Sequence, residues 1–344
     1  MLQKVGPAEF LKMGQDYPIL DLRSPFEFLT GHIPGAINLP LFDDSERKIV
    51  GTLYKNSGKD ASILSGLDIV GTKMTSFIKQ AWQISPRRKL RIYCWRGGMR
   101  SESMAWLFNL AGFGVMVLVG GYKAYRRYIR DELGQQMSYI VLSGGTGTGK
   151  TEILKNLREK DHQVLDLEAI ARHKGSAFGA LGLNEQPTNE QFENNLYEKW
   201  KDFDKQKPVW VEDESRSIGR ITIPEPLYGN LQKSPVIALE IPTALRIKQL
   251  IKGYTQFPKE LLAEGISRIS RNLGGDNAKT AITAIRHDDF ETAIKIVLTY
   301  YDKTYHFCLK KRNPGQIHHL KSESSDTETN THLLLKYFTI QKLS

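Results

Sequence analysis

At 344 residues the chain is long for a single core and suits two domains of about 100–200 residues each. Its 40% hydrophobic and 25% charged residues are those of a soluble globular protein, and no apolar run nears the roughly 18–20 residues that span a bilayer, so no membrane partner is expected. Of the net charge of +10, residues 1–133 hold +7, from 19 Lys and Arg against 12 Asp and Glu, which either favours an acidic partner such as nucleic acid or serves solubility alone. Two cysteines, Cys94 and Cys308, are too few for a disulfide framework, and the start from Met1 to Pro7 lacks an apolar signal core. A reducing, cytoplasmic setting is the expectation.

In chain order, Tyr17 to Leu22 reads as a short buried strand ending in a carboxylate, and Arg91 to Cys94 as a second. Met104, Leu107, Leu110 and Ala111 give Ser101 to Ala111 a helical spacing, with Gly112 as its stop. A third strand spans Val115 to Val119, and Gly120-Gly121 turns the chain into a basic, Tyr-bearing helix ending near Arg130. Strands alternating with helices predict a parallel sheet with its active loops at the strand C-termini. A boundary near Gly134–Met137 divides the chain into domains 1–134 and 135–344. The second opens with a strand from Tyr139 to Ser143, a Gly-rich turn and a helix from about Lys150. Strands are expected at Gln163–Leu167, Pro208–Val211 and Val236–Ile241, and Ser322–Thr331 as a surface loop. There is no internal repeat.

The loop Cys94-Trp95-Arg96-Gly97-Gly98-Met99-Arg100 carries the first chemistry. A thiol works as thiolate, which needs a positive setting. Two glycines let the backbone N–H groups turn inward, and a helix N-terminus at about Ser101 completes an anion site. Cys94 is the candidate nucleophile, with Arg100, aided by Arg96, as the charge that holds the thiolate. The plain alternative is a buried strand cysteine before an ordinary glycine turn.

The second chemistry lies in Gly144-Gly145-Thr146-Gly147-Thr148-Gly149-Lys150-Thr151, which fits the phosphate-binding pattern G-x-x-x-x-G-K-[ST] between a strand and a helix. Backbone N–H groups from Gly145 through Thr146, Gly147, Thr148 and Gly149 to Lys150 are expected to cradle a diphosphate. Lys150 would neutralise its oxygens and Thr151 hold Mg²⁺. No tightly bound cofactor is implied. Asp166 and Glu168 end one strand and Glu212 and Asp213 another. They are candidates for acid–base or substrate contact, or plain solvated turn residues. Lys123, Arg126, Arg127 and Arg130 on the Tyr-bearing helix are candidate RNA contacts, where arginines meet phosphates and tyrosines either stack on unpaired bases or pack against the domain. Cys308 reads as structural.

Asp21-Leu22-Arg23, Glu27-Phe28 and the turn Gly31-His32-Ile33-Pro34-Gly35-Ala36-Ile37-Asn38-Leu39-Pro40 resemble the rhodanese homology domain, a likeness that covers roughly residues 5–130 with the cysteine loop and Gly120-Gly121. Cys94 and Arg100 enclose five residues where sulfur-transferring rhodaneses usually enclose four. The longer loop resembles phosphatases of that fold and suits a tetrahedral oxyanion or a larger chalcogen. A rhodanese domain followed by a P-loop domain, with Leu165-Asp166-Leu167-Glu168, His173 to Gly179 and Val211 to Arg216, is similar to the tRNA 2-selenouridine synthase family. The likeness thins after about Pro242.

That resemblance implies an α/β protein, a rhodanese-like parallel-sheet domain and then a P-loop NTPase-like α/β domain with a C-terminal helical and strand extension. It implies tRNA as partner, geranyl diphosphate and selenophosphate as co-substrates, and selenophosphate synthase as a candidate partner. Wobble 2-thiouridine is S-geranylated and then converted to 2-selenouridine, with Cys94 carrying selenium. The rival readings are an ATP-dependent tRNA sulfurtransferase, a rhodanese-type phosphatase fused to a small-molecule kinase, and a regulatory scaffold with an inert cysteine.

Overall fold

The computed structural model describes residues 2–14 and 16–341. The chain forms two compact units: Met1–Glu132 together with Glu193–Tyr197, and Leu133–Phe192 together with Glu198–Ser344.

The first unit is built on a five-stranded sheet of β1 (Leu2–Val5), β2 (Ile19–Asp21), β3 (Ile37–Asn38), β4 (Lys89–Tyr93) and β5 (Gly114–Leu118), in the order β1-β5-β4-β2-β3. Every pairing is parallel, with Ile19 opposite Arg91 and Leu90 opposite Val115. Apolar runs such as Val115-Met116-Val117-Leu118 suit strands covered on both faces. Leu20, Leu22, Leu90, Ile92, Phe108, Val115 and Val117 lie in one core. Three helices that the sequence reading left out, Asp44–Asn56, Gly58–Gly71 and Met74–Ile84, fill the crossover into β4.

The second unit holds β6 (Tyr139–Gly144), β7 (Gln163–Leu165), β8 (Val209–Glu212), the short hairpin β9 (Ser217–Ile218) and β10 (Ile221–Thr222), β11 (Val236–Glu240) and β12 (Ile317–Lys321). Its parallel five-stranded sheet runs β12-β11-β6-β8-β7. The P-loop strand β6 is thus central, flanked by β11 and β8, and its C-terminal end opens into the crevice such a sheet offers a ligand. Between β11 and β12 the chain folds into helices Thr243–Tyr254, Lys259–Arg268, Ser270–Leu273, Gly275–Arg286 and Phe290–Lys310. Leu262, Ile266, Leu273, Ala281 and Val297 make a separate core there.

Ser322–Thr331 is not all surface loop, because a helix begins at Thr327 and runs to Gln341. Asp326 accepts from the Thr329 amide at 2.7 Å, and Asn330, buried, accepts from the Ser322 hydroxyl at 2.6 Å. Polar side chains cap this helix start instead of facing solvent, so composition alone misread them.

Candidate active site

The P-loop begins as β6 ends at Gly144 and closes where the helix Lys150–Glu159 starts. Gly147 and Gly149 take φ of +85° and +80°, which curls the backbone as an anion cradle requires. At Gly145 the reason for glycine is space: a Cβ there would lie 2.9 Å from the Arg246 guanidinium. Arg246 is buried, donates from Nε to the Thr146 carbonyl at 2.8 Å, and is gripped by Asp302 at 2.6 Å. Thr148 folds its hydroxyl back onto the Gly145 carbonyl at 2.9 Å. The loop is therefore held in shape by contacts within the protein. The Lys150 ammonium rests on the Gly144 carbonyl at 2.9 Å and stands 3.6 Å from Glu212.

Facing Lys150 are three carboxylates, Glu168, Glu212 and Glu214, with ligand oxygens all within 4.8 Å of one another. Glu168 also accepts from the Thr151 hydroxyl at 3.4 Å. Burial, then the charges of Glu212 and Glu214, push Glu168 up to about 9. Burial and then Glu212 push Glu214 up to about 8, and burial raises Glu212 as well. One lysine cannot balance three carboxylates, two of them buried and one half-buried, so the group must gain protons or a cation. Hard oxygen donors clustered beside Thr151 fit Mg²⁺.

Asp213, expected among these carboxylates, is turned elsewhere. It accepts from the Ser143 hydroxyl at 2.6 Å and pairs with Arg312 at 2.5 Å, which fastens β8 to β6. Glu214, two residues past the strand end, takes its place. Asp166 caps the helix Leu167–Ala171, accepting from the Ala169 amide at 2.9 Å.

The segment His173–Gly179 closes over this group. Gly175 has φ +65°, and a Cβ there would sit 2.6 Å from a Glu214 oxygen. The next residues bring Phe178 to an apolar slot that Thr146 of the P-loop also lines, together with Leu250, Tyr254, Ile266 and Val297. The slot is narrow, about 40 Å³.

In the first unit, β4 delivers Cys94 to its C-terminal end, and the helix Met99–Leu110 begins five residues later. Cys94 is buried, while Arg96 is exposed. The loop packs against the glycine turn: Gly121 has φ +60°, and a Cβ there would lie 2.3 Å from the Cys94 carbonyl oxygen. Tyr122 donates its amide to that same oxygen at 2.8 Å. Arg100 binds Glu27 at 3.1 Å, and Glu27 caps the helix Pro25–Thr30 through Ser24. Beneath, Asp21 and Arg23 form a fully buried pair at 2.6 Å, Tyr93 donates to Asp21 at 2.6 Å, and Arg23 lies 3.8 Å from the centre of the Tyr122 ring.

The Tyr-bearing helix, Gly121–Leu133, divides its cations. Arg126 is buried and donates to Asn194 at 2.6 Å and to Glu193, both belonging to this unit, so it is not offered to RNA. Arg130 is exposed but pairs with Glu193 at 2.7 Å. Lys123 and Arg127 remain on the exposed face. Cys308, expected to be structural, is exposed on its helix.

Known families account for both units. Residues 6–128 match the rhodanese-like domain, and residues 137–332 match the tRNA 2-selenouridine synthase AAA domain. A tRNA 2-selenouridine synthase from Shewanella sediminis is 34% identical over 360 residues, covering 91% of this chain and 94% of that protein. The chain belongs to the tRNA 2-selenouridine synthase family. Two further tRNA 2-selenouridine synthases agree. That of Bdellovibrio bacteriovorus is 42% identical over 74% of this chain and 69% of its own length, and that of Nitrosomonas europaea 32% over 86% and 90%. For a member of the tRNA 2-selenouridine synthase family the expected fold class therefore stands, with thiol loop and P-loop in one chain. Among the described residues no helix is long and apolar enough to cross a membrane.

Proposed function

We propose that the chain is a transferase that converts the wobble 2-thiouridine of tRNA to 2-selenouridine through an S-geranyl intermediate. The observation that carries the alkylation step is the apolar slot beside the P-loop at Thr146. A phosphate cradle next to leucine, isoleucine and aromatic side chains suits an alkyl diphosphate better than a nucleotide, whose base and ribose need polar partners. The slot is narrow, so a ten-carbon chain seats only as side chains such as Phe178 and Leu250 give way.

In the first step the thiouridine sulfur attacks C1 of geranyl diphosphate. The C1–O bond breaks, diphosphate leaves, and the base loses its N3 proton. Charge builds on the departing diphosphate, where Lys150 and the loop amides stabilise it. Mg²⁺ held by Thr151, Glu168, Glu212 and Glu214 would supply further positive charge to the same oxygens. In the second step selenium from selenophosphate adds to C2 and the C2–S bond breaks, so that geranyl thiol leaves; water cleaves the P–Se bond, which releases phosphate and supplies the proton returned to N3. Cys94 and the loop up to Arg100 are the elements suited to selenium handling, since they set a sulfur nucleophile just before the N-terminus of the helix Met99–Leu110.

Diphosphate release tests the first step. Geranyl diphosphate should be consumed only when 2-thiouridine RNA is present, Lys150→Ala should abolish release, and ATP should not substitute. RNA-stimulated ATP hydrolysis with no response to geranyl diphosphate would instead establish the sulfurtransferase reading.

A further inference from the structure

A second cavity, of about 300 Å³, opens on the carboxylate side of the P-loop, where Thr151 and Glu168 form part of its wall. We propose that it takes the acceptor nucleotide, a single unpaired pyrimidine of an RNA strand together with its flanking phosphate. The inference rests on the alkylation reading above and adds where the acceptor binds.

Four observations carry it. The volume lies at the lower end of ligand sites and suits one nucleotide rather than a folded partner. Its chemistry is mixed where the slot is apolar: Arg172 and Lys174 bring positive charge beside the carboxylates of Asp166 and Glu168, Asn184 a side-chain amide, and Leu183, 41% exposed, an apolar surface. The Asn184 amide holds a donor and an acceptor side by side, matching the N3–H and C4 carbonyl of a uracil edge. Leu183 offers a face for a splayed-out base, and the two cations suit a phosphate. Among the described residues no side-chain hydrogen bond or ion pair engages Lys174 or Asn184, so both stand ready for a ligand.

The wall is also fixed in advance. Gln186 donates to the carbonyls of Ala171 at 3.1 Å and Ile218 at 2.9 Å, and accepts from the Arg220 amide at 2.9 Å. Arg172 sits in the left-handed region at φ +53° and donates to the Glu185 carbonyl at 3.3 Å. A pinned segment loses little freedom when a ligand binds. Thr146 lines the slot and Thr151 the cavity, so both open beside the P-loop.

The test uses the full chain and an anticodon stem–loop RNA carrying 2-thiouridine at the wobble position. Binding is followed by fluorescence anisotropy across a salt series, and KM values by geranyl transfer. Lys174→Ala and Asn184→Ala should each weaken RNA about tenfold while the KM for geranyl diphosphate stays within about twofold. Lys174→Ala should lower the log–log salt slope by about one, whereas Asn184→Ala should leave it unchanged. Lys279→Ala, an exposed lysine on the helix Gly275–Arg286, should change neither. Wild-type RNA affinity in both cavity variants overturns the proposal, and so does an equal loss in Lys279→Ala or a matching rise in the geranyl diphosphate KM. If the variants lose RNA but the wild-type chain never transfers geranyl, the alkylation reading falls and the cavity stands. Normal transfer with an unchanged RNA KM in both variants gives the reverse.

Discussion

Arg246 reaches the P-loop from the helical segment and donates to the Thr146 carbonyl at 2.8 Å, while Asp302 holds its other nitrogens at 2.6 and 3.1 Å. The phosphate loop is thus braced by a residue far from it in sequence. Arg246→Ala should raise the KM for geranyl diphosphate about tenfold or more. The stability cost should be about 2–3 kcal/mol, below that of a fully buried pair because Asp302 keeps 30% exposure. Arg246→Lys should recover little, since an ammonium cannot make the forked contact. Thermal unfolding and steady-state diphosphate release read the two effects separately.

Glu168 and Glu214 make stability depend on pH. Both are raised in the folded state, to about 9 and about 8, from the ordinary glutamate value of 4.5. The folded chain therefore keeps protons that the unfolded chain releases. Their favourable contribution is full below about pH 4.5 and is lost as pH rises through about 8–9. With a chelator present, Glu214→Gln should raise Tm at pH 8.5 by about 2–4 °C, the shift about 1 kcal/mol gives in a domain of this size. The difference should vanish near pH 5, where the wild-type carboxyl is already neutral. A wild-type chain no less stable at pH 8.5 than at pH 6 would contradict this account of the three carboxylates.

Gly121→Ala should damage the thiol loop. The φ of +60° and the 2.3 Å approach to the Cys94 carbonyl leave no room for a methyl group, so the first unit should lose about 1–3 kcal/mol. Selenium transfer should fall while geranyl transfer, assigned to the second unit, changes much less.

Cys94→Ala separates the two steps directly. Geranyl transfer should stay within about twofold of wild type, and selenium incorporation should drop about a thousandfold or more. Loss of geranyl transfer with selenation intact would reverse the roles given to the two loops.

Motifs with local geometry were legible in the sequence. Cys94 at the end of β4, the glycines at 120 and 121, and the P-loop between β6 and its helix all follow from residues adjacent in the chain. What stayed hidden depends on contacts across long separations. Nothing near Arg246 announces that it braces residue 146, and nothing in Glu212-Asp213-Glu214 tells which carboxylate faces Lys150. Strand alternation offered a hint: past a strand ending at Glu212, Glu214 returns to the face of Glu212 and Asp213 takes the opposite one, toward Arg312. Arg126 looked like its neighbour Arg127 in sequence, and only the helix register separates the buried one from the exposed one.

The central claim, alkylation before selenation, is tested most directly by mass spectrometry of nucleosides from a 2-thiouridine tRNA. The RNA is incubated with the full chain and geranyl diphosphate, then with selenophosphate. An S-geranyl-2-thiouridine mass is expected after the first addition, and the selenium isotope pattern of 2-selenouridine, without geranyl, after the second. Selenouridine formed with no geranyl diphosphate supplied, or no geranyl adduct at all, would contradict it.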